Sequence, residues 1–159
     1  MVPNTPKKIL EIKIYITSGI LSMKSVSQDL IPNFQPSQIV CLEYGYTCLY
    51  ATVIQILATR KMCWVRPLLL KVFASESKYE NSQNNSEKFT IWDLREGADL
   101  VWPISLFREA IDTEFIPLLT ELEFLDSQEK DQQVSHQKLQ HFIRKVWQAY
   151  PDVFPVVES

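Results

Sequence analysis

The sequence predicts an α+β protein, mainly β, in which a small barrel of about five strands precedes C-terminal helices. Two observations predict this class. Between residues 39 and 103, runs of β-branched, aromatic and aliphatic residues alternate with short turns, as strands do. After Pro103 the apolar residues recur at spacings of three and four, which is the period of a helix. With 159 residues, 46% of them hydrophobic, the chain can bury one core.

Residues 1–38 are predicted to be a leader that precedes the folded part. A strand-like alternation of aliphatic with charged or polar residues comes first, and a serine-rich stretch follows it over residues 18–27. The aliphatic positions are Leu10, Ile12, Ile14 and Ile16. Two interpretations stay open: the alternating residues form a strand, or the first 22 residues, before Met23, are not native to the fold and are an over-called start or a disordered leader.

The predicted barrel domain covers residues 39–125 and opens with a three-stranded meander. Its three strands read IVCLE, YTCLYATVIQIL and MCWVRPLLLKVF. If Tyr44 and Gly45 form a two-residue turn, Cys41 lies opposite Cys48 across the first hairpin.

The second hairpin is predicted to turn at Thr59 and Arg60, which places Met62 opposite Leu57. The middle strand is largely apolar on both of its faces. Because a strand with one solvated face normally alternates apolar and polar residues, we expect this one to be covered on both sides. A closed or half-closed small barrel of the Src-homology-3-like type would cover it in this way.

Two more strands are expected after a polar loop at residues 75–88. They read KFTIWDL and LVWP, with a turn around Gly97 between them. Three carboxylates surround this turn, and because Arg95 lies among them we interpret it as a salt-bridged turn and not as a cation site.

Helices are predicted from residue 105 onward. Ser105 is expected to cap a short helix that ends at Ala110, and Asp112 to cap a second one. Pro117 lies inside the second helix, so we expect a kink there or a start near it. Residues 126–159 are predicted to form a polar spacer, an amphipathic helix over 134–150 that Pro151 stops, and a tail.

Composition excludes several classes of enzyme. Three glycines and two histidines supply neither a phosphate loop nor a catalytic zinc site, and the histidines fall on different faces of one helix. We therefore predict no catalytic residue, no cofactor and no metal, and no enzymatic activity. Residues 91–159 carry six basic and thirteen acidic residues, a net charge of −7, which makes a nucleic-acid partner unexpected.

The three cysteines, Cys41, Cys48 and Cys63, form no Cys-x-x-Cys pair. Their odd number, without a cleavable signal, predicts a reducing compartment and hence a cytoplasmic protein. We interpret them as small core hydrophobes, with a thiol switch or half of a metal site as the alternative for Cys41 and Cys48. No segment is apolar enough to span a membrane, while peripheral membrane association stays open.

Tryptophan and arginine are concentrated in three places, and both are residues that often anchor interfaces. We interpret Trp64 and Trp92 as core residues and Trp102, beside a proline at the strand-to-helix junction, as the more open one. The predicted partner-binding surface combines residues of this junction with the apolar face of the last helix: Trp102, Phe107, Arg108, Phe142, Val146 and Trp147.

Two strings, CLEYGYTCLYATVIQILATRKMCWVRPLLL and IWDLREGADLVWPISLFREAIDTEFIPLL, resemble a family of small uncharacterised cyanobacterial proteins. The resemblance covers roughly residues 39–120. It implies a cell with photosynthetic membranes and carries over neither an activity nor site residues.

The predicted function is that of a non-enzymatic protein-protein interaction module, or an accessory or assembly factor of a larger complex. One alternative is a small barrel that binds single-stranded nucleic acid through exposed aromatic residues. A further alternative is a thiol-dependent redox sensor.

Overall fold

The computed structural model describes residues 31–74, 88–126 and 131–155. The strands are β1 (Ile39–Tyr44), β2 (Thr47–Leu57), β3 (Met62–Phe73), β4 (Phe89–Asp93), β5 (Leu100–Pro103) and β6 (Arg108–Glu109). The helices are α1 (Asp112–Leu125) and α2 (Gln132–Ala149). The strand pattern predicted at residues 10–16, nearly all of the polar loop, the middle of the polar spacer and the last four residues lie outside the described residues.

All six strands belong to one antiparallel sheet with the order β4-β3-β2-β1-β6. The long strand β3 pairs with β2 on one side, and on its other side β4 and β5 each pair with one half of it. The sheet is not closed. The predicted mainly-β α+β class is therefore confirmed, with six strands where about five were expected.

The first hairpin turns one residue later than predicted. Gly45 takes the first turn position with a φ of 57°, the conformation that a two-residue turn requires there and that glycine adopts without strain. Tyr44 consequently pairs with Thr47, and Cys41 pairs with Tyr50. The predicted pairing of Cys41 with Cys48 was wrong by two residues, because the turn position of the glycine sets the register.

The second hairpin has the predicted register near its turn. Leu57 pairs with Met62 and Ile56 with Cys63 around a 3₁₀ turn at Ala58–Arg60. Lys61 then takes a left-handed conformation with a φ of 54°. Further along, two register shifts interrupt the β2–β3 pairing.

The segment after β5 differs from the predicted short helix. A 3₁₀ turn at Ile104–Leu106 leads into β6, where Arg108 pairs with Cys41 of β1. The Ala110 amide donates to the Ile39 carbonyl at 3.0 Å and extends this contact. The predicted short helix was wrong because the chain returns to the edge of β1. There the backbone N–H and C=O groups of these residues bond to the sheet instead of to one another.

Both longer helices form where the apolar spacing placed them. α1 includes Pro117, and Asp112 is its first helical residue and not its cap. α2 begins after Asp131, whose carboxylate accepts a bond from the Val134 amide at 3.2 Å, and it ends before Pro151 as predicted.

The two helices pack on opposite faces of the sheet. Alternating residues of the same strands point to the two faces and form two core clusters. The cluster of the α2 face includes Val40, Leu42, Leu49, Val53, Val65, Phe107, Leu139, Phe142 and Val146. The cluster of the α1 face includes Cys41, Cys48, Tyr50, Leu69, Phe115, Leu118 and Leu122. The prediction that β2 is covered on both sides is thus confirmed.

Within the described ranges, neither helix combines the length and the apolar character needed to cross a membrane.

Candidate functional site

Four of the six residues predicted to bind a partner lie together in the core of the α2 face. Phe107 and Val146 are fully buried, Phe142 is 3% exposed and Trp102 is 6% exposed. Side chains this deeply buried offer a partner almost no surface. The alternation along β5 was the signal for this, since Val101 points outward and its neighbour Trp102 must then point inward.

Trp147 remains at the surface and is 56% exposed. Its ring stacks on Phe154, with centroids 4.9 Å apart and planes 9° apart. Phe154 in turn meets Trp102 edge-on at 5.1 Å. The structure therefore joins Trp102 and Trp147 through Phe154, a residue that was not among the six predicted to bind a partner.

Trp64, which we expected in the core, is instead partly exposed on the outside of β3. Its indole N–H donates to Asp99 at 3.0 Å, and Arg66 donates to the same carboxylate at 2.9 and 3.2 Å. Asp99 is one end of the turn around Gly97. At the other end of this turn, Arg95 donates two hydrogen bonds to Asp93, at 3.0 and 2.8 Å. The predicted salt-bridged turn is confirmed.

Helix α1 leaves large apolar side chains exposed on the side away from the sheet. Its buried side packs through Phe115, Leu118 and Leu122. Ile116 and Phe124, on the side away from the sheet, are 56% and 68% exposed, and Leu119, on the flank between that side and the buried side, is 40% exposed. We call these three residues the outer surface of α1.

The two helices carry opposite charges. α1 has four acidic residues and no lysine or arginine: Asp112, Glu114, Glu121 and Glu123. α2 has three basic residues and no aspartate or glutamate: Lys138, Arg144 and Lys145. Glu114 is bound by Arg108, so the exposed acidic residues of α1 that accompany its outer surface are Asp112, Glu121 and Glu123.

Arg108 stands at the centre of a half-buried charged cluster beneath α1. Its guanidinium donates to Glu43 at 2.6 Å and to both oxygens of Glu114 at 3.0 and 3.2 Å. The Tyr50 hydroxyl donates to the same Glu114 carboxylate at 2.9 Å. We call these four residues the Arg108 cluster; it ties β1, β2 and β6 to the first turn of α1.

Two buried thiols, Cys41 and Cys48, adjoin the Arg108 cluster. The Cys48 thiol donates to Glu43 over 4.0 Å. Burial raises the pKa of the Cys41 thiol, the neighbouring Cys48 raises it further, and Arg108 opposes the shift. A protonated thiol is a poor nucleophile, and both histidines are exposed on α2 on the opposite face of the sheet, so neither is a base for these cysteines.

Comparison with protein-family models, with curated proteins and with solved structures finds no match to the chain. The candidates for function come from the geometry of the described residues. They are the outer surface of α1, the Arg108 cluster with its two thiols, and Trp147.

Proposed function

We propose that the protein is a non-enzymatic interaction module whose α1 helix docks a basic, amphipathic segment of a partner protein. The observation that carries the proposal is the outer surface of α1 with the acidic residues that accompany it. Ile116, Leu119 and Phe124 are exposed on a helix that has four acidic residues and no basic one.

The chemistry of this surface defines its occupant. Burying three large apolar side chains gives a favourable term of roughly 25 cal/mol for each Å² removed from water. Lysine or arginine beside the apolar residues of the partner would meet Asp112, Glu121 and Glu123 at the rim, where complementary charge speeds association and selects the partner. A second copy of α1 in the same place would bring acidic residues against acidic residues, so the proposed partner is a different chain or segment.

Helix α1 is held rigidly enough to act as a docking platform. Near its start Glu114 is bound by Arg108 and Tyr50, and just past its end Asp126 is bound by Arg95 at 2.6 Å. A surface that is already ordered loses less conformational entropy on binding. The residues that anchor the helix are distinct from those that would contact the partner.

The proposal retains the small-barrel interpretation of the sheet and an accessory role in a larger assembly. The order of elements supports the Src-homology-3-like type, because a 3₁₀ turn precedes β6 and β6 pairs with β1. A reducing, cytoplasmic location also belongs to the proposal and is supported by three cysteines that are all free. The resemblance to small cyanobacterial proteins suggests the kind of cell in which partners should be sought.

The binding experiment uses two designed peptides and the full chain. One peptide is an amphipathic helix of leucine and lysine, and the other has glutamate in place of lysine. We expect fluorescence anisotropy to detect binding of the lysine peptide alone, and an Ile116→Ser, Phe124→Ser variant to bind it about tenfold or more weakly, a change of about 1.4 kcal/mol or more. A Val101→Ser variant, altered at a similarly exposed residue of β5, is the matched control and should bind as the parent does.

Three results would contradict the proposal. They are equal binding of both peptides, binding that survives the α1 double substitution, and binding that is lost only with Trp147→Ser. Steeply salt-dependent binding of single-stranded RNA, unaffected by the α1 substitutions, would favour the nucleic-acid alternative instead.

A further inference from the structure

The register of the first hairpin gathers three metal-binding groups at one point of the sheet. Cys41 and Glu43 are two apart in β1 and therefore point to the same face. Cys48 of β2 is paired with Glu43, so its side chain lies on that face as well. One donor atom from each of the three lies within 4.8 Å of the others, and both cysteines are buried.

We propose that Cys41, Cys48 and Glu43 form a binding site for Zn²⁺ or a similar thiophilic divalent ion. Two thiolates with a carboxylate are a ligand set that zinc accepts and that Mg²⁺ or Ca²⁺ does not favour. The three protein ligands leave a fourth tetrahedral position, as in zinc sites with an exchangeable ligand.

The distances are close to those a bound ion requires. With Zn–S near 2.3 Å and Zn–O near 2.1 Å, the ligand atoms of a tetrahedral site lie roughly 3.5–3.8 Å apart. Cys48 and Glu43 are separated by 4.0 Å. Side-chain rotations that displace the donor atoms by up to about one ångström would bring all three to coordination distance. The strand register would not change.

The charge of the surrounding cluster tolerates the ion. Binding of Zn²⁺ adds two positive charges to the cluster, and release of the two thiol protons to solvent removes two. The net charge of the cluster therefore does not change. The Cys48 thiol and Arg108 both approach Oε1 of Glu43, so the ion would share this oxygen with Arg108 or bind the other carboxylate oxygen, Oε2.

The site lies between the sheet and the first turn of α1. The ion would crosslink β1 to β2 directly beneath the first turn of α1, using none of the exposed residues of the outer surface of α1. The site is therefore independent of the proposed docking function, and either proposal can fail without the other.

Titration of the reduced full chain with Co²⁺ tests the site. We expect one Co²⁺ per chain, a near-ultraviolet thiolate-to-cobalt charge-transfer band, and loss of the band when Zn²⁺ is added. The band should disappear in Cys48→Ser and remain in Cys63→Ser, whose cysteine is equally buried but lies on the α2 face. Absence of the band in the parent chain, or a band that Cys48→Ser leaves intact, would overturn the proposal.

A second measurement needs no substitution and holds even where Cys48→Ser does not fold. X-ray absorption at the zinc edge of the zinc-loaded chain should show two sulfur neighbours near 2.3 Å and oxygen neighbours near 2.0–2.2 Å. A first shell that contains only oxygen or nitrogen would overturn the assignment.

Discussion

The two faces of the sheet are built from the same strands and differ in almost everything else. The α2 face is filled by aliphatic and aromatic side chains around the fully buried Phe107. The α1 face holds two thiols, a tyrosine and the Arg108 cluster beneath its helix. We therefore expect the α2 face to contribute more to stability, whereas the α1 face carries the groups of the proposed ion site.

The two helices differ from each other as the two faces of the sheet do. α2 buries a single stripe through Leu139, Phe142 and Val146 and presents mostly polar and charged residues elsewhere, with Trp147 as its exposed aromatic residue. α1 is apolar on its buried side and on its outward side, with Ile116 and Phe124 exposed. The exposed apolar residues of α1 are those that the proposed docking function would use.

The largest expected effect comes from the α2 face. Phe107→Ala removes a fully buried ring and should lower the free energy of unfolding by about 3–5 kcal/mol, because the transfer term and the cavity term add. Urea denaturation followed by circular dichroism measures the change. Ile116→Ala on the outer surface of α1 is the control and should stay within about 0.5 kcal/mol of the parent. Equal losses for the two variants would show that the fully buried Phe107 contributes no more to stability than the exposed Ile116.

A smaller effect is expected in the Arg108 cluster. Arg108→Met leaves Glu43 and Glu114 half-buried without their cation and should cost roughly 1–3 kcal/mol. Arg66→Met is the matched control, because Arg66 also binds a carboxylate but its side chain is 54% exposed, against 25% for Arg108.

The control should change the free energy of unfolding by less than about 1 kcal/mol, since exposed ion pairs contribute little. Chemical denaturation of both variants in the same buffer decides the point. If Arg66→Met lowered the free energy of unfolding as much as Arg108→Met, burial would not explain the contribution of the Arg108 cluster to stability.

The smallest effect concerns the thiol of the α2 face. Burial raises the pKa of Cys63 from 9.0 to about 11, and no other cause is involved. Because the folded state holds this proton more tightly than the unfolded state, the contribution is fully present below pH 9 and is lost between pH 9 and pH 11. At pH 10 the loss should be about 1 kcal/mol relative to pH 8.

Comparison with Cys63→Ala isolates this contribution from the other groups that titrate in alkali. The difference between the stability of the parent and that of the variant, measured by denaturation from pH 8 to pH 11, should shrink as the pH rises. A difference that is constant with pH would show that the thiol does not ionise on unfolding.

The sequence predicted those features that depend on periodicity. The meander, the pairing of Leu57 with Met62 and the extent of α2 all follow from local patterns of apolar residues and turns. The strand β6 did not, because two residues show no period and Arg108 finds its place only by pairing with Cys41.

The candidate sites were less predictable than the fold. Arg108 was identified as a site residue, but its partner Glu43 is 65 residues away in the chain, and no spacing rule connects them. The gathering of Cys41, Glu43 and Cys48 depended on a register that the position of Gly45 shifted. Tertiary contacts and one turn conformation, which local patterns do not contain, account for these differences.

The short strand β6 has a consequence for how the chain assembles and opens. The hairpins of the meander close over a few residues, whereas β6 reaches β1 only after the chain has closed a loop from Cys41 to Arg108. A longer closure costs more chain entropy, so β6 is expected to join the sheet late in folding and to detach early in local unfolding. Because Arg108 lies on β6 and pairs with Cys41, detachment of β6 would also withdraw the Arg108 side chain from beside the buried thiols.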